Sequence, residues 1–236
     1  MPSAFFQFKK FTVYHDKCAM KVGTDGVLLG AWSSVSGKKN ILDIGTGSGL
    51  IALMLAQRSE ATIHAIDIDS SACLQATENA AGSIFSERIQ VHHSSLHEYS
   101  RQTPEQFDLI VSNPPYFNAS LLSPVHERNL ARHNNSLSLA ALLEDSLKIL
   151  SAEGTIALVL PYDQEEELNT LASTLNLTFC RKTYIRPLPD SAYKRMLAEL
   201  SRHKSTCQFD ELTIEESRHQ YTKEYIALTK DFYLKM

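Results

Sequence analysis

The stretch Asn113-Pro114-Pro115-Tyr116 has the most unusual chemistry of the chain, and it comes just after the apolar run 109–111. Its two prolines remove two backbone N–H donors and fix two φ angles, so a β-strand cannot continue through them. The stretch offers instead a side-chain amide oxygen, a rigid backbone carbonyl and an aromatic ring face. These groups are suited to a flat ligand that donates N–H groups.

The same four residues resemble the (D/N/S)-P-P-(Y/F/W) motif of methyltransferases that act on exocyclic or amide nitrogens of planar groups. Such a nitrogen is a poor nucleophile because its lone pair is delocalised. The resemblance implies that the Asn113 side chain and the Pro114 carbonyl accept its N–H groups. Pro115 would stiffen the turn, and Tyr116 would stack on the target. The structural alternative is a Pro-Pro stop after a strand, with the aromatic ring packed behind it.

A second candidate site is the glycine-rich turn in ILDIGTGSGLIAL, which places Gly45, Gly47 and Gly49 between a strand and a helix. Glycines tolerate positive φ and let a ligand approach the backbone closely. The helix N-terminus that follows favours electron-rich groups. Gly47 to Ala52 fits the dinucleotide fingerprint G-x-G-x-x-A, and Asp67 lies 20 residues after Gly47. This turn alone is therefore compatible with an NAD-dependent oxidoreductase.

The wider pattern Asp43-x-Gly45-x-Gly47-x-Gly49 resembles the first motif of class I methyltransferases, which use S-adenosyl-L-methionine. The resemblance implies that Asp43 helps to hold the amino-acid end of the cofactor. Asp67, at the end of the next strand, would accept hydrogen bonds from both ribose hydroxyls. A dehydrogenase has no use for the Asn-Pro-Pro-Tyr stretch, so the two motifs together favour a nitrogen methyltransferase.

Strands and helices alternate around these motifs. Strands are predicted at NILD, ATIHAID, RIQVHH, FDLIVS and GTIALVLP, and helices at LIALMLAQR, SSACLQATENAAGS, SLSLAALLEDSLKIL and DQEEELNTLASTL. This alternation predicts a doubly wound α/β fold, with a mostly parallel sheet covered on both faces. After Leu175 we predict strands at LTFCRKTYIRP, CQFDELTIEE and KEYIALTKDFYL, which would add an antiparallel C-terminal edge.

Length and composition predict one domain. The 236 residues are 43% hydrophobic, which is enough for a full core. We expect a single methyltransferase domain over 1–236, with an N-terminal cap segment at 1–39 and the cofactor-binding and catalytic sheet at 40–236. No apolar run approaches the roughly 18 residues of a membrane span, and the scattered cysteines form no zinc-binding or disulfide pattern. We therefore expect a cytoplasmic protein without a metal. We also expect a monomer, although nothing in the composition determines the oligomeric state.

Positive charge is concentrated in two stretches, although the formal net charge is −4. Residues 1–40 contain six lysines and two acids, and residues 181–204 contain seven Lys or Arg and two acids. Either stretch could bind the phosphates of a nucleic acid. A solvated charged face is the alternative interpretation of both.

A narrower resemblance covers nearly the whole chain. It depends on FTVYHDKCAMKVGTDGVLLGAW, LDIGTGSGLIALMLAQR, FDLIVSNPPYF, ARHNNSLSL, AYKRMLAE and YTKEYIALTKDFYLKM. In these segments the chain resembles the bacterial adenine-N6-methyltransferases that modify adenosine 37, beside the anticodon, of valine tRNA. The resemblance implies a seven-stranded Rossmann-like sheet, S-adenosyl-L-methionine as cofactor and valine tRNA as partner.

The resemblance also implies roles for residues outside the two motifs. Lys21, Thr24 and Asp25 precede the sheet and would help to close the cofactor site, although much of this segment has the composition of a packed cap. Arg132 and His133 lie in the loop after Asn-Pro-Pro-Tyr, where a flipped base would enter. The alternative for these two residues is a solvated loop.

Lys194 and Arg195 lie between late predicted strands and are candidates for tRNA phosphate contacts, with ordinary surface positions as the alternative. One position departs from the family pattern. Class I methyltransferases often have an acid after the third strand that binds the cofactor adenine, and Ser95 occupies that place here. Serine can accept a hydrogen bond but has no charge, so we expect Ser95 to bind the adenine more weakly than an acid would.

The histidines of VHHSSLHEY, which are His92, His93 and His97, could suggest a metal site. No carboxylate-rich motif accompanies them, and strand alternation places the first two on opposite faces. We therefore predict no metal at these residues.

Other substrates remain possible for the motif. Glutamine-N5 methyltransferases of release factors usually have a separate helical N-terminal domain, for which few residues precede the Asp43 strand. DNA adenine methyltransferases normally add a target-recognition region, and guanine in ribosomal RNA is a further substrate of this motif class. An RNA-binding module that holds the cofactor without turnover is the non-enzymatic alternative, and the intact Asn-Pro-Pro-Tyr argues against it.

Overall fold

The computed structural model describes residues 4–18, 20–115 and 137–236. Strands and helices follow one another along most of this length. In chain order they are β1 (Phe5–Gln7), β2 (Thr12–Tyr14), α1 (Thr24–Trp32), β3 (Asn40–Ile44), α2 (Leu50–Arg58), β4 (Thr62–Asp67), α3 (Ser70–Ala81), β5 (Ile89–His93), α4 (Leu96–Gln102), β6 (Phe107–Ser112), α5 (Leu139–Ile149), β7 (Leu150–Pro161), α6 (Glu165–Thr174), β8 (Thr178–Arg186), β9 (Arg195–Ser201), β10 (Gln208–Thr213), β11 (Glu215–Ser217), β12 (Gln220–Tyr221) and α7 (Lys223–Thr229).

The described residues form one main sheet of eight strands in the order β10-β8-β9-β7-β6-β3-β4-β5. Strands β5, β4, β3, β6 and β7 are parallel to one another, as the strand–helix alternation predicts. Strand β9 runs antiparallel to both β7 and β8. The doubly wound α/β fold with antiparallel C-terminal pairing is thus confirmed. The sheet has one strand more than the seven expected, because β10 pairs in parallel with β8 at the edge.

Helices cover both faces of this sheet, each over its own hydrophobic cluster. One cluster joins α1, α2 and α7 to alternate sheet residues such as Ile41 and Leu109. The other joins α4, α5 and α6 to residues such as Leu42 and Ile110, which point to the opposite face. The central strands are therefore buried on both sides, and a polar site can form at their ends.

The N-terminal cap segment is attached to α3 and to the C-terminus. Strands β1 and β2 form an antiparallel pair, and the Asn79 side chain of α3 bonds both the N–H and the carbonyl of Tyr14. The same amide donates to the Ser48 carbonyl, 2.8 Å away, in the glycine turn. Lys9 donates its backbone N–H to the Phe232 carbonyl at 2.8 Å. Within the described ranges, no helix is long and apolar enough to cross a bilayer.

The strand predicted at KEYIALTKDFYL is wrong, because its first part forms helix α7. The Thr222 hydroxyl accepts the Tyr225 N–H and caps the helix start. Tyr225, Leu228 and Phe232 follow one another at helical spacing and pack on the cluster beneath α1 and α2. The aromatic and β-branched residues that favoured a strand therefore serve a helical face instead.

Helix α1 packs very closely on α2. A Cβ built at Gly30 would lie 2.9 Å from Cβ of Met54, and one at Gly26 would lie 3.0 Å from a Leu50 methyl group. This contact places the start of α1 beside the start of α2. Since α2 follows the glycine turn, α1 brings Thr24 and Asp25 to that end of the sheet.

We predict that Gly30→Ala lowers the free energy of unfolding by about 1–3 kcal/mol, because the added methyl overlaps the Met54 Cβ in a full core. Gly26→Ala is the matched control on the same helix, since the flexible end of Leu50 can move aside. We expect that variant to have wild-type stability or better, as alanine favours helix. Urea unfolding of the three proteins measures the difference, and equal stabilities for both variants would contradict the packing account.

Candidate active site

The carboxyl ends of three adjacent parallel strands bring the sequence-predicted polar residues into one row. Asp43 of β3 pairs in register with Ala65 of β4 and Val111 of β6. Asp67 ends β4, two residues beyond Ala65, and Asn113 comes two residues beyond Val111. Because neighbouring strands lie about 4.8 Å apart, the two acids and the asparagine occupy a strip only two strand spacings wide.

The glycine turn after β3 has the backbone shape that its sequence predicts. Gly45, Gly47 and Gly49 have φ angles of +69°, +55° and +80°, where side chains with a Cβ are strained. A Cβ on Gly45 or Gly47 would meet no described atom within 4 Å, so the space in front of the turn is open. At Gly49 it would meet Ala76 at 3.3 Å, so that glycine lets α3 pack against the turn.

The carboxyl group of Asp43 is fully buried behind this turn. Its Oδ2 accepts the Thr46 hydroxyl at 2.6 Å and the Ala52 N–H at 3.2 Å, which ties the turn to the first turn of α2. Its Oδ1 is also buried and has no hydrogen-bond partner among the described residues. Burial raises the pKa of Asp43 to about 7, and the nearby Asp67 carboxylate acts in the same direction.

Asp67 holds the other side of the turn. Its Oδ2 accepts the Gly47 N–H and its Oδ1 accepts the Asp69 N–H, each at 2.9 Å. A carboxylate offers about four acceptor positions, so each oxygen can still accept a ligand hydroxyl. The side chain is only partly buried, which leaves it within reach of such a ligand.

These features fit the cofactor that the sequence implies. The buried orphan oxygen of Asp43 suits a donor such as an amino group, and the partly exposed Asp67 suits a pair of hydroxyls. The open surface over Gly45 and Gly47 allows close approach by a flat ligand. This set of acceptors therefore matches a nucleoside that carries an amino-acid group.

The start of α1 lies at this site and is joined by an ion pair to the start of β9. Gly23 is the helix N-cap, so Lys21 and Thr24 lie in the exposed segment on either side of it. The Asp25 carboxylate pairs with the guanidinium of Arg195, with Nε to Oδ2 at 2.8 Å. Arg195 begins β9 rather than lying between strands, and its side chain faces α1.

The described part of the Asn-Pro-Pro-Tyr stretch continues directly from β6. The Ser112 hydroxyl donates to the Ile44 carbonyl at 3.0 Å and fixes the end of β6 against the end of β3. Asn113 is partly buried, Pro114 is buried and Pro115 is exposed. Tyr116 lies outside the described residues.

Arg132 and His133 also lie outside the described residues. Lys194 is exposed, and its backbone joins the ends of two strands, because its N–H donates to Ile185 and its carbonyl accepts from Tyr162. A phosphate contact by Lys194 stays a prediction. A phosphate contact by Arg195 is also still a prediction, and the ion pair with Asp25 occupies part of its guanidinium.

Ser95 has a structural role in the described structure. It is the N-cap of α4, where its hydroxyl accepts the Glu98 N–H and also donates to the Glu98 carboxylate at 2.8 Å. This capping box stabilises the helix start. The adenine contact suggested for Ser95 stays a prediction.

The three histidines near Ser95 do not converge. His92 stacks on His64 with ring centroids 5.5 Å apart, whereas His93 bonds the Ile68 carbonyl and His97 lies 3.3 Å from Asp145. Burial lowers the pKa of both His64 and His92, which favours their neutral forms. Within the described ranges, no group of three His, Cys, Asp or Glu residues could hold a metal ion.

One further site residue and one contact between site residues were not singled out in the sequence. Thr46 lies three residues after Asp43 in the turn, and that short spacing was a usable signal for its hydrogen bond. The partnership of Asp25 with Arg195 joins residues 170 positions apart, so no local pattern could reveal it.

With this geometry in view, the class of the protein follows from comparison with known families. The model of the methyltransferase small domain matches residues 23–178, which include the glycine turn and the Asn-Pro-Pro-Tyr stretch. A predicted O-methyltransferase from Agrobacterium tumefaciens has the same fold, with a TM-score of 0.65 at 21% identity over 88% of this chain and 96% of that chain.

Full-length relatives identify the family of methyltransferases to which the chain belongs. The tRNA1(Val) (adenine(37)-N6)-methyltransferase of Parabacteroides distasonis is 57% identical over 100% of both chains. Enzymes of the same name from Phocaeicola vulgatus and Yersinia enterocolitica are 49% identical over 100% of both chains and 44% identical over 97% of this chain and 92% of theirs. This chain belongs to the family of tRNA1(Val) (adenine(37)-N6)-methyltransferases.

The raised pKa of Asp43 predicts how Asp43→Asn changes the pH dependence of stability. The pKa is about 7 in the folded chain against 3.8 for the free side chain, so ionisation of Asp43 lowers stability. That loss is absent at low pH, grows as the pH rises toward 7 and is constant above it. The variant does not ionise at this position. Its free energy of unfolding should therefore rise by about 2–3 kcal/mol relative to that of wild type when the pH is raised from about 5 to about 8.

Chemical denaturation at both pH values measures this change. Asp108→Asn is the control, because hydrogen bonds from Lys39, Asn40 and Ser151 keep the pKa of Asp108 below its ordinary value despite partial burial. The difference in the free energy of unfolding between Asp108→Asn and wild type should be constant between the two pH values. A pH-independent difference for Asp43→Asn would show that the carboxyl does not titrate as described.

Proposed function

We propose that this protein transfers the methyl group of S-adenosyl-L-methionine to the N6 amino group of adenosine 37 in the anticodon loop of valine tRNA. The observation that carries the proposal is the row formed by Asp67, Asp43 and Asn113 at the carboxyl ends of adjacent strands. In this row, the side chains proposed to bind the cofactor lie beside two groups that can accept N–H hydrogen bonds. The name shared by the full-length relatives supports the choice of nucleoside and position.

S-adenosyl-L-methionine supplies a methyl group on a positively charged sulfur, which makes that group electrophilic. In this proposal Asp43 Oδ1 accepts a hydrogen bond from the amino group of the cofactor, whose positive charge favours the ionised carboxyl. Asp67 accepts the ribose hydroxyls, and the open backbone at Gly45 and Gly47 lies against the nucleoside. Asp25 and Lys21 border the same space from the start of α1.

Asn113 and the Pro114 carbonyl act on the nucleophile. Their two oxygens accept the two N–H groups of the adenine amine, and both hydrogen bonds favour a tetrahedral nitrogen whose lone pair is available for attack. The prolines hold these oxygens in place, so the reaction gains mainly from orientation. No strong base is needed, because the proton leaves after the methyl group has transferred.

An anticodon loop suits this site physically. A base in a single-stranded loop is cheaper to flip out than one in a duplex. Lys194 is the proposed contact with phosphates, and Arg132 and His133, later in the sequence than Asn-Pro-Pro-Tyr, are proposed to meet the entering base. Arg195 would contribute chiefly by holding α1 through Asp25. The cytoplasmic location and the monomeric state stay predictions.

The proposal is tested by a methyl-transfer assay with tritiated S-adenosyl-L-methionine and, in parallel, unmodified total tRNA, ribosomal RNA, duplex DNA and a release factor. We expect label in tRNA alone, as N6-methyladenosine identified by nucleoside mass spectrometry. Label in the release factor or DNA instead would support those substrates and contradict the proposal. Cofactor binding without transfer to any of them would favour the non-catalytic RNA-binding alternative.

Asn113→Ala should reduce kcat by roughly a hundredfold or more, since it removes one of the two acceptors that act in the transition state. Binding of S-adenosylhomocysteine, measured by calorimetry, should stay at the wild-type level. Asn40→Ala is the matched control, because Asn40 begins β3 at the opposite end of the same sheet. Full activity in Asn113→Ala would remove this residue from the mechanism.

A further inference from the structure

Four aromatic rings cluster beside the proposed active site, and the mechanism uses none of them. Tyr162 lies 5.0 Å from Tyr184 and 5.3 Å from Tyr193, measured between ring centroids. Tyr184 also lies 5.3 Å from Tyr193 and 4.8 Å from Phe209. The three tyrosines are partly exposed and Phe209 is 54% exposed, so this aromatic cluster is a surface rather than part of the core.

The cluster lies at the same edge of the sheet as Asn113. Strand β7 is parallel to β6 and continues past its last pair with β6, at Leu158, to Pro161. Tyr162 follows directly and donates its N–H to the Lys194 carbonyl at 3.2 Å. Because β9 is antiparallel to β7, its first residue pairs with Pro161, and Tyr193 lies just before it. Tyr162 and Tyr193 therefore lie at the same edge of the sheet as Asn113, on the side away from the glycine turn.

Positive charge accompanies the rings. The Arg186 guanidinium lies 5.0 Å from the centroid of the Tyr193 ring and forms an ion pair with Glu211. Lys194 is exposed next to Tyr193 in sequence. Aromatic faces combined with cations are the surface chemistry that binds single-stranded nucleic acids, through base stacking and phosphate contacts.

Carboxylates hold two members of the cluster, and one of these contacts joins the Tyr193 hydroxyl to Glu211. The Tyr184 hydroxyl donates to the Glu165 carboxylate, which also pairs with Lys182 at 3.0 Å. Tyr184 therefore acts as a support between Tyr162 and Tyr193. The two outer rings are left as the ones that a ligand base can reach.

We propose that Tyr162 and Tyr193 form a stacking surface for an unpaired base that neighbours the target adenosine in the anticodon loop. This inference depends on the proposed function and extends it, because it assigns how the loop is held rather than how the amine reacts. Stacking tolerates any base, so the surface supplies affinity and position more than sequence selection. The rings would keep the neighbouring base out of the stack while the adenine enters beside Asn113.

The test compares a double Tyr162→Ala, Tyr193→Ala variant with the double Phe variant, which keeps both rings. Loss of stacking should raise the Kd for an anticodon stem-loop RNA, and the KM in methyl transfer, by roughly fivefold to 150-fold. The Phe variant should stay within about twofold of wild type, because the rings rather than the hydroxyls make the contact. Binding of S-adenosylhomocysteine should be unchanged in both, and Tyr221→Ala is the control for loss of a partly exposed tyrosine elsewhere.

A second measurement does not depend on variants. A stem-loop with 2-aminopurine on either side of the target adenosine should lose fluorescence when wild-type protein binds, as the base stacks on a tyrosine. If the double Ala variant does not fold, each single Ala variant should lose part of this quenching. Wild-type RNA affinity in the double Ala variant, or unchanged 2-aminopurine fluorescence, would overturn the inference while the proposed function stands. Failure of the wild-type protein to methylate tRNA would instead overturn the proposed function.

Discussion

The buried carboxyl group of Asp43 is the interaction on which the rest of the site depends. One oxygen fixes the glycine turn to the start of α2 through Thr46 and Ala52, and the other has no partner among the described residues. A buried carboxyl that lacks a partner lowers stability. Its pKa of about 7 expresses that cost. Such a group is expected where a ligand completes the hydrogen bonding, so the fold gives up some stability in order to keep a binding site ready.

The other parts of the site take their places relative to this residue. Parallel pairing sets Asp67 on one side of Asp43 and Asn113 on the other. This separates the side chains proposed to bind the cofactor from the acceptors proposed to act on the amine. Close packing of α1 on α2 brings Asp25 to the same edge. Its ion pair with Arg195 then joins the first helix to β9, next to the aromatic cluster. One continuous edge thus connects the proposed contacts with cofactor, nucleophile and RNA.

The parts that the sequence could predict are those with local signals. Three glycines at alternate positions permit positive φ, and Asn-Pro-Pro ends a strand, so the sequence locates both motifs. Strand–helix alternation predicted the parallel sheet. The ion pair between Asp25 and Arg195 and the aromatic cluster arise from long-range pairing, which no local pattern encodes. Helix α7 was mistaken for a strand because its composition favoured β-structure while its capping and spacing served a helix.

The measurement that tests the central claim most directly compares two transcripts of valine tRNA that differ only at position 37. Purified protein and labelled S-adenosyl-L-methionine are incubated with the adenosine form and with a form that has guanosine there. The account predicts N6-methyladenosine, mapped to position 37 by nuclease digestion and mass spectrometry, in the first transcript and no label in the second. Equal label in both transcripts, or label mapped to another adenosine, would contradict it.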